Sequence, residues 1–523
     1  MYAISPVLLA LLCAFLVPTY GYKILVTSLG VSDSQNVNMA RISDILVRRG
    51  HKVTLLWWAL NPTDTVKTKE NVKQIKQPLS ADESFMEKMR DGASSIIWKP
   101  APVDLPIGLL MILYQVPSGC RKFLQNHEKV IDEMKAEKYD LILNHMFDGC
   151  TYGLAHVLGI ETVASFSTAF MPDTMAWHAG LPAPISMVPS FTNPATDKMS
   201  FFGRVKNLFL SGATQLAFEM INRAYTNCFR EKYGAQFPTV QSLMKETQLF
   251  LLNSDIFFEY PKPNLHNVLY VGGLTMEAPD PLTAKWQKIV DANENIVLFS
   301  LGTVTNTMPD YVKKALLNAF KKFPKFTFVC KSIGNVPEAE TIPNVIMDKW
   351  IPQRDLLSNP KVKAFITHGG YNSLMEAVQL GVPLIVIPLF GDQPANAKRV
   401  ERIGTGVILD KMALSEQTVA KALDTVLVKN EVATKAKFIS NMIQNKPVTA
   451  LDMAVKWLEF LAEYKTLDSL KPESRHMGLI SYFMIDVLAF LLVLLLISLW
   501  IFVKCCKLIW RFIMNRKMKA KKD

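Results

Sequence analysis

WIPQRDLLSNPKVKAFITHGGYNSLMEAVQLGVPLIVIPLFGDQ, residues 350–393, carries two strand-like runs around a helix-like one. Val362–Thr367 is β-branched and aliphatic and ends on His368-Gly369-Gly370, Ser373–Leu380 has the spacing of a helix, and Leu384–Pro388 is a second apolar run that ends near Asp392-Gln393. Strand, helix, strand at this interval makes a parallel pair joined by a crossover helix. The first strand then delivers His368 to the carboxyl edge of its sheet, and Gly369 and Gly370 let backbone approach a ligand closely. The next helix begins where N–H donors converge, a place that attracts anions. A pyrophosphate fits there, with Asn372, Ser373 and His368 as side-chain donors and Glu376, one turn on, as an acceptor for ribose hydroxyls. Ser373-Leu374-Met375-Glu376 also fits a capping box, in which both side chains only satisfy the helix backbone.

The same alternation continues on both sides. Asn295–Ser300, Pro309–Phe323 and Phe326–Cys330 read as strand, helix and strand in one domain with residues 350–393. Nearer the N-terminus, Tyr22–Val26, Met39–Arg49 and Val53–Trp57, then Tyr139–Leu143, Cys150–Leu158 and Thr162–Phe166, form a second series. Glu259-Tyr260-Pro261-Lys262-Pro263-Asn264 has the prolines of an extended connection, and the domain junction is placed there or shortly after. Two doubly wound Rossmann-like α/β domains facing each other enclose a cleft at the carboxyl ends of their strands. Neither contains G-x-G-x-x-G or G-x-x-x-x-G-K-[ST], which argues against a dinucleotide dehydrogenase and a P-loop enzyme.

A chain of 523 residues, half of them hydrophobic and 20% charged, has ample material for two or three cores and is not a disordered polyelectrolyte. The net charge of +12 suggests a nucleic-acid binder only until it is located. Eight Lys and Arg against Asp523 in residues 504–523 carry +7 of it, so the charge belongs to a tail rather than to a phosphate-binding face. No nucleic-acid partner is expected.

Residues 1–21 have an apolar run, Val7–Val17, too short to span a bilayer, with Thr19 and Gly21 at the −3 and −1 positions of a cleavage site. They read as a secretory signal. Leu479–Val503 carries a single charge, Asp486, and is long enough to cross the hydrocarbon core. The positive charge after it places residues 504–523 in the cytosol and the body on the luminal or extracellular side, a single-pass type I topology. Lys519-Ala520-Lys521-Lys522-Asp523 has the spacing of a dilysine retrieval signal, which points to the endoplasmic reticulum membrane; a plain basic stop-transfer tail is the alternative. Cys120, Cys150, Cys228 and Cys330 are isolated in the body, so neither a disulfide scaffold nor a metal site is expected. Asn61-Pro62-Thr63 has the proline that forbids N-glycosylation.

Residues 350–393 match, almost position by position, the signature of the UDP-glycosyltransferases, and the chain resembles the membrane-anchored animal type from its signal to its basic tail. The resemblance implies a GT-B fold: residues 22–264 bind the acceptor, 265–446 bind the UDP-sugar, 447–478 form a return helix and membrane-proximal segment, and 479–503 form the anchor. Carried over by position, Trp350 stacks on uracil and Gln353 contacts the nucleoside. His368, Gly370, Asn372 and Ser373 hold the diphosphate, approached by Ser300 and Thr303; Glu376 binds ribose, and Asp392 and Gln393 meet the sugar hydroxyls. Without the resemblance, Trp350 is a packed aromatic and Asp392-Gln393 a solvated turn. No cofactor is implied beyond the co-substrate, UDP-glucuronate or UDP-glucose, between which no residue decides. Association with itself or with relatives is common among membrane-anchored members.

In this family a His near the end of the first strand takes the acceptor's proton and an Asp of the N-terminal domain holds that His. Asp148 stands at the position of the Asp, but Gln35 stands at that of the His, and glutamine does not accept a proton near neutral pH. Three readings follow: transfer to amines, which need no base; another base, with His145 or Asp148 itself the candidates; or binding of UDP-sugar or a lipophile without turnover. His51 belongs to a helix-to-strand turn and is not the base. Leu105–Val116 is an apolar stretch that forms an acceptor wall, lies against a membrane or is a buried helix, and the acceptor is expected to be small and lipophilic.

Overall fold

The computed structural model describes residues 21–30, 33–59, 64–78, 97–99, 105–181, 184–276, 278–302, 308–332 and 336–519. Residues 1–20 of the expected signal, Thr303 and residues 520–523 of the dilysine motif lie outside them. The chain divides into two units, residues 1–471 and 472–523.

The first unit holds two parallel sheets. One contains β1 (Lys23–Ser28), β2 (Lys52–Ala59), β3 (Lys73–Pro78), β4 (Leu141–His145), β5 (Val163–Ser167), β6 (Leu249–Leu252) and β7 (Val268–Tyr270), in the order β3-β2-β1-β4-β5-β6-β7. The other contains β8 (Ile296–Ser300), β9 (Thr327–Lys331), β10 (Val345–Asp348), β11 (Val362–Thr367), β12 (Leu384–Val386) and β13 (Gly406–Ile408), in the order β10-β9-β8-β11-β12-β13. This is the doubly wound arrangement expected, and its central strands are buried on both faces: Ile24-Leu25-Val26, Leu141-Ile142-Leu143 and Ile296-Val297-Leu298 are all at most 1% exposed. Each sheet winds outward in both directions from its first strand. The chain ends of β1 and β4 diverge in one, and those of β8 and β11 in the other, which are the places where open α/β sheets take ligands.

The helices that matter for the site are α1 (Asp33–Arg48), α2 (Leu105–Asn126), α3 (Gly149–Leu158), α4 (Phe201–Tyr233), α5 (Gln353–Leu357), α6 (Tyr371–Leu380), α7 (Gln393–Ile403) and α8 (Ala450–Tyr464). Helix α8 follows the second sheet, yet Ala454, Leu458 and Leu461 pack in one cluster with Ile24, Val26, Leu141 and Leu249 of the first. Leu105–Val116 is helical as the start of α2; its side chains before Val116 lie outside the described residues.

Three expectations need correction. The junction does not fall at residue 264, because β7 still pairs with β6 in the first sheet; Trp286 and Val290 already pack with Ile296 and Leu298, so the crossing lies between Tyr270 and Ala284. Cys120 and Cys150 are not isolated: they form a disulfide, Cα–Cα 5.8 Å, that ties α2 to the first turn of α3. In the second unit the long apolar helix is α9 (Ile485–Lys519), not a continuous span from Leu479. Leu479–Tyr482 is a separate turn, ended where Met484 adopts φ +53°. Residues 485–515 of α9 are long and apolar enough to cross a membrane.

The two sheets are tied by an ion pair withdrawn from water. Arg399 of α7 donates from Nε to Glu259 Oε1 at 2.7 Å, and both side chains are 2% exposed. The guanidinium lies 3.7 Å from the ring centre of Phe170 and 4.8 Å from that of Tyr260. Burial pushes the Glu259 carboxyl up, but Arg399 overcomes it and holds the group below its ordinary value. Arg399→Met strands a buried carboxylate and is expected to lower the unfolding free energy by about 3–5 kcal/mol. Adding Glu259→Gln should recover most of that loss. Urea unfolding of the full chain in detergent measures both, and a single variant as stable as the wild type contradicts the assignment.

Candidate functional site

In the second sheet Thr367 of β11 lies in register with Ser300 of β8, so His368 emerges beside the turn that follows Ser300. A Cβ on Gly302 would stand 2.8 Å from His368 Cε1 and one on Gly370 2.6 Å from Nε2, so the imidazole is seated between two glycines that no other residue can replace without moving it. Gly302 has φ +79°, which independently favours glycine. Burial, with Lys331 nearby, pushes the His368 imidazole down to about 4. It is therefore neutral at physiological pH and offers a single N–H rather than a charge. Ser300 is buried and its Oγ accepts from the Gly302 N–H at 3.4 Å.

Helix α6 starts at Tyr371 with Gly370 at its N-cap, two residues before the expected start. Asn372 and Ser373 therefore lie in the first turn, whose N–H groups have no partner inside the helix, and the Ser373–Glu376 capping box is not formed. Both side chains instead meet Gln353 of α5, whose Nε2 donates to Ser373 Oγ at 3.1 Å and to Glu376 Oε2 at 2.7 Å. Burial holds the Glu376 carboxyl above its ordinary value. Trp350 is 69% exposed, so it is not a packed aromatic; its ring lies 5.5 Å from Lys331 Nζ, which also donates to the Gly302 carbonyl at 3.0 Å. Gly302, Lys331, Trp350, Gln353 and the start of α6 thus form one connected surface around His368.

Asp392 and Gln393 open α7 and are not a solvated turn. Gln393 is buried, with its Oε1 accepting from the N–H groups of Leu389 and Phe390 at 2.9 and 3.1 Å, so half of its amide is spent on holding the loop. Asp392 Oδ2 accepts from Asn396 Nδ2 at 2.7 Å, and burial pushes its carboxyl up.

In the first sheet Gln35 lies half-buried in the first turn of α1, after β1, and Asp148 follows the neighbouring β4. Asp148 caps α3, with Oδ1 accepting from the Cys150 N–H at 3.1 Å, and Oδ2 accepts from the Trp58 indole N–H at 2.9 Å. Trp58 also receives a bond on its carbonyl from Asn36 Nδ2 at 3.4 Å, so it links the start of α1 to Asp148. Gly30 makes room for this: at φ +69°, a Cβ there would stand 1.7 Å from the Trp58 carbonyl oxygen. Burial pushes the Asp148 carboxyl up to about 6, against the pull of the Trp58 donor. His145, at the end of β4, is wholly buried; burial pushes it down to about 4, and its Nε2 has no hydrogen-bond partner. His51 precedes β2 at the opposite, amino edge of the sheet and contacts Glu459 at 3.2 Å.

The two edges meet through Asn372. Its Oδ1 accepts from Asn38 Nδ2 of α1 and from Asn253 Nδ2 after β6, both at 3.3 Å, and Tyr371 donates to Ser254 Oγ at 2.5 Å. Sequence reasoning missed Asn38, Asn253, Trp58 and Lys331. Only Trp58 left a signal, as one of two tryptophans closing a strand. Among the described residues no group of three or more His, Cys, Asp or Glu could hold a metal ion.

The profile described as UDP-glucoronosyl and UDP-glucosyl transferase matches residues 22–520. The chain is 30% identical to human UDP-glucuronosyltransferase 3A2, covering 97% of this chain and 98% of that protein. It is 30% identical to the putative UDP-glucuronosyltransferase ugt-48 of Caenorhabditis elegans, over 90% and 91% of the two chains. Among solved structures, a UDP-glucosyltransferase from Polygonum tinctorium superposes with a TM-score of 0.61 at 16% identity, over 85% of this chain and 99% of the other. At that identity the likeness concerns the fold, a GT-B arrangement.

Asp148 takes up a proton near pH 6 in the fold against an ordinary value of 3.8. The native state holds the extra proton between these values, so this contribution is full below about pH 4 and is lost as pH rises through about 6. Asp148→Asn removes the titration, and its stability relative to the wild type should gain about 3 kcal/mol between acid and neutral pH. The buried His145 and His368 act in the opposite sense but cancel in the difference. Urea unfolding across pH measures it, and a pH-independent difference contradicts the buried carboxyl.

Proposed function

Because the chain belongs to the UDP-glucuronosyl and UDP-glucosyl transferase family, we propose that it moves a glucuronosyl or glucosyl group from a UDP-sugar to a small lipophilic acceptor with inversion. The body would lie in the lumen of the endoplasmic reticulum, anchored by α9. One observation carries this reading: Asn372, in the first turn of α6, touches Asn38, which lies one turn after Gln35 on the same face-to-face edge. This contact supports reading the candidate diphosphate site and the position of the family's base as neighbours.

In this reading Trp350 stacks on uracil, Gln353 contacts the nucleoside and Glu376 the ribose. The first-turn N–H groups of α6, with Asn372, Ser373, Ser300, Thr303, Gly370 and neutral His368, take the charge that develops on UDP. Asp392 and Gln393 face the sugar. The acceptor attacks C1 opposite UDP; the new bond to C1 forms as the C1–oxygen bond breaks, and its electron pair leaves with UDP. A hydroxyl must lose its proton as it attacks, which Gln35 does not assist. A neutral amine attacks with a free lone pair and releases its proton to water afterwards, so amines are the favoured acceptors. The same glutamine favours a second reading, a UDP-sugar or lipophile binder with a regulatory role and no turnover.

Single-turnover assays of the full chain in detergent, with UDP-glucuronate and UDP-glucose against phenol and amine panels, separate the two. Transfer to amines, with phenol transfer gained in Gln35→His, is the expected result; UDP-sugar binding without product from either panel favours the binder. Calorimetric titration of UDP should show about a tenfold loss of affinity in Gln353→Ala, the effect of roughly one lost hydrogen bond of 1.4 kcal/mol. Unchanged affinity would remove Gln353 from the donor site.

A further inference from the structure

One apolar cluster of the second sheet, built on Val297, Phe299 and Ile366, takes in two residues from the first domain. Ile97 and Trp98, which follow β3, are buried there with Met308, Leu389 and Leu414. Their backbone is held by Lys411, in the short turn Lys411–Ala413 that follows β13. The Lys411 side chain is buried, and its Nζ donates to the carbonyls of Ile97 and Leu389, both at 2.6 Å. A buried ammonium on neutral carbonyls costs desolvation that an apolar side chain in its place does not, so the position is explained by what the two bonds hold together. Leu389 opens the loop that carries Asp392 and Gln393, and its N–H donates to Gln393 Oε1. On the far side Asn396 Nδ2 donates to Asp392 Oδ2 at 2.7 Å and to the Gly369 carbonyl at 3.1 Å. The loop 389–393 is thus suspended between two holds, Gly369 beside His368 and Lys411 with Ile97 of the first domain.

We propose that Lys411 is a positioning residue for the sugar half of the donor: with Ile97 and Trp98 as a strap from the first domain, it sets the loop 389–393 in the shape that takes a hexosyl group, and so lets the site tell a UDP-sugar from UDP. The proposal rests on the reading in which Asp392 and Gln393 face the sugar. In that reading uracil, ribose and diphosphate are taken by Trp350, Gln353, Glu376 and the start of α6, so a displaced loop 389–393 is felt by the sugar and not by the nucleotide. A polar site is sensitive to such a displacement, because hydrogen bonds weaken steeply once distance and angle leave their narrow range. The strap also makes the sugar loop answer to the first domain. From Lys99 the chain runs on into α2, which the Cys120–Cys150 bond ties to α3 and its cap Asp148.

The test compares the full chain in detergent with its Lys411→Met, Lys411→Arg and Trp98→Ala variants. Amide hydrogen exchange without ligand reads the strap. Lys411→Met should speed exchange several-fold in residues 97–99 and 389–393 and leave β1 and β11 unchanged, which also shows that the variant is folded. Calorimetric titration reads the donor. Affinity for UDP should stay within about twofold of the wild type, while affinity for UDP-glucose or UDP-glucuronate, whichever the wild type binds, falls about tenfold in Lys411→Met and in Trp98→Ala and recovers in Lys411→Arg, which still donates to both carbonyls. Unchanged exchange in 389–393 overturns the strap. Equal loss of UDP and UDP-sugar affinity gives Lys411 a general structural role and also overturns the proposal. A wild type that binds neither UDP nor a UDP-sugar overturns the sugar role together with the donor reading, and the exchange, which needs no ligand, tells that failure from the absence of a strap.

Discussion

Arg399 places a permanent charge where water does not reach, and the fold accommodates it by bringing Glu259 to it from the other domain. That requirement fixes how α7 approaches the segment after β6, with Phe170 and Tyr260 closing over the guanidinium. Lys446 with Asp255 and Arg402 with Asp197 reinforce the same approach, at 2.5 and 2.7 Å. With the domains so held, the N-terminus of α6 faces α1 across Asn372, Asn38 and Asn253. These three amides are weaker, longer contacts than the ion pairs around them.

The chemistry is divided between the two switch points. At β8 and β11 lie the first-turn N–H groups of α6, a neutral imidazole between two glycines, and the Lys331 ammonium, held against the Gly302 carbonyl and beside the Trp350 ring. At β1 and β4 the groups that titrate are withdrawn. Asp148 is buried and held by Trp58 and Cys150, and His145 is buried and neutral. Gln35 lies half-buried in the first turn of α1, after β1.

Much of this was legible in the sequence. Runs such as Ile24-Leu25-Val26 and Val362–Thr367 are apolar throughout because parallel strands are buried on both faces, and that pattern needs no partner to be read. His368-Gly369-Gly370 was read as room for a ligand; the structure shows Gly370, with Gly302 from the neighbouring strand's turn, close against the imidazole. Short strands such as β7 and β13, three residues each, left too little pattern, and missing β7 displaced the domain junction. The Cys120–Cys150 bond joins residues thirty apart whose proximity depends on how α2 crosses α3, which spacing does not encode. Asn38, Asn253 and Lys331 gain their meaning only from the other domain or a neighbouring strand, and α4 was hidden because its exposed apolar face erases the contrast between core and solvent sides on which amphipathic reading relies.

The central claim is that a uridine diphosphate binds where β8 and β11 diverge. Amide hydrogen exchange of the full chain in detergent, with and without UDP, tests it most directly. The account predicts slowed exchange at Leu301, Gly302 and the first turn of α6, Tyr371–Ser373, with little change along β1 to β3. Binding of UDP that leaves Tyr371–Ser373 unprotected, or protection confined to the first sheet, would contradict it.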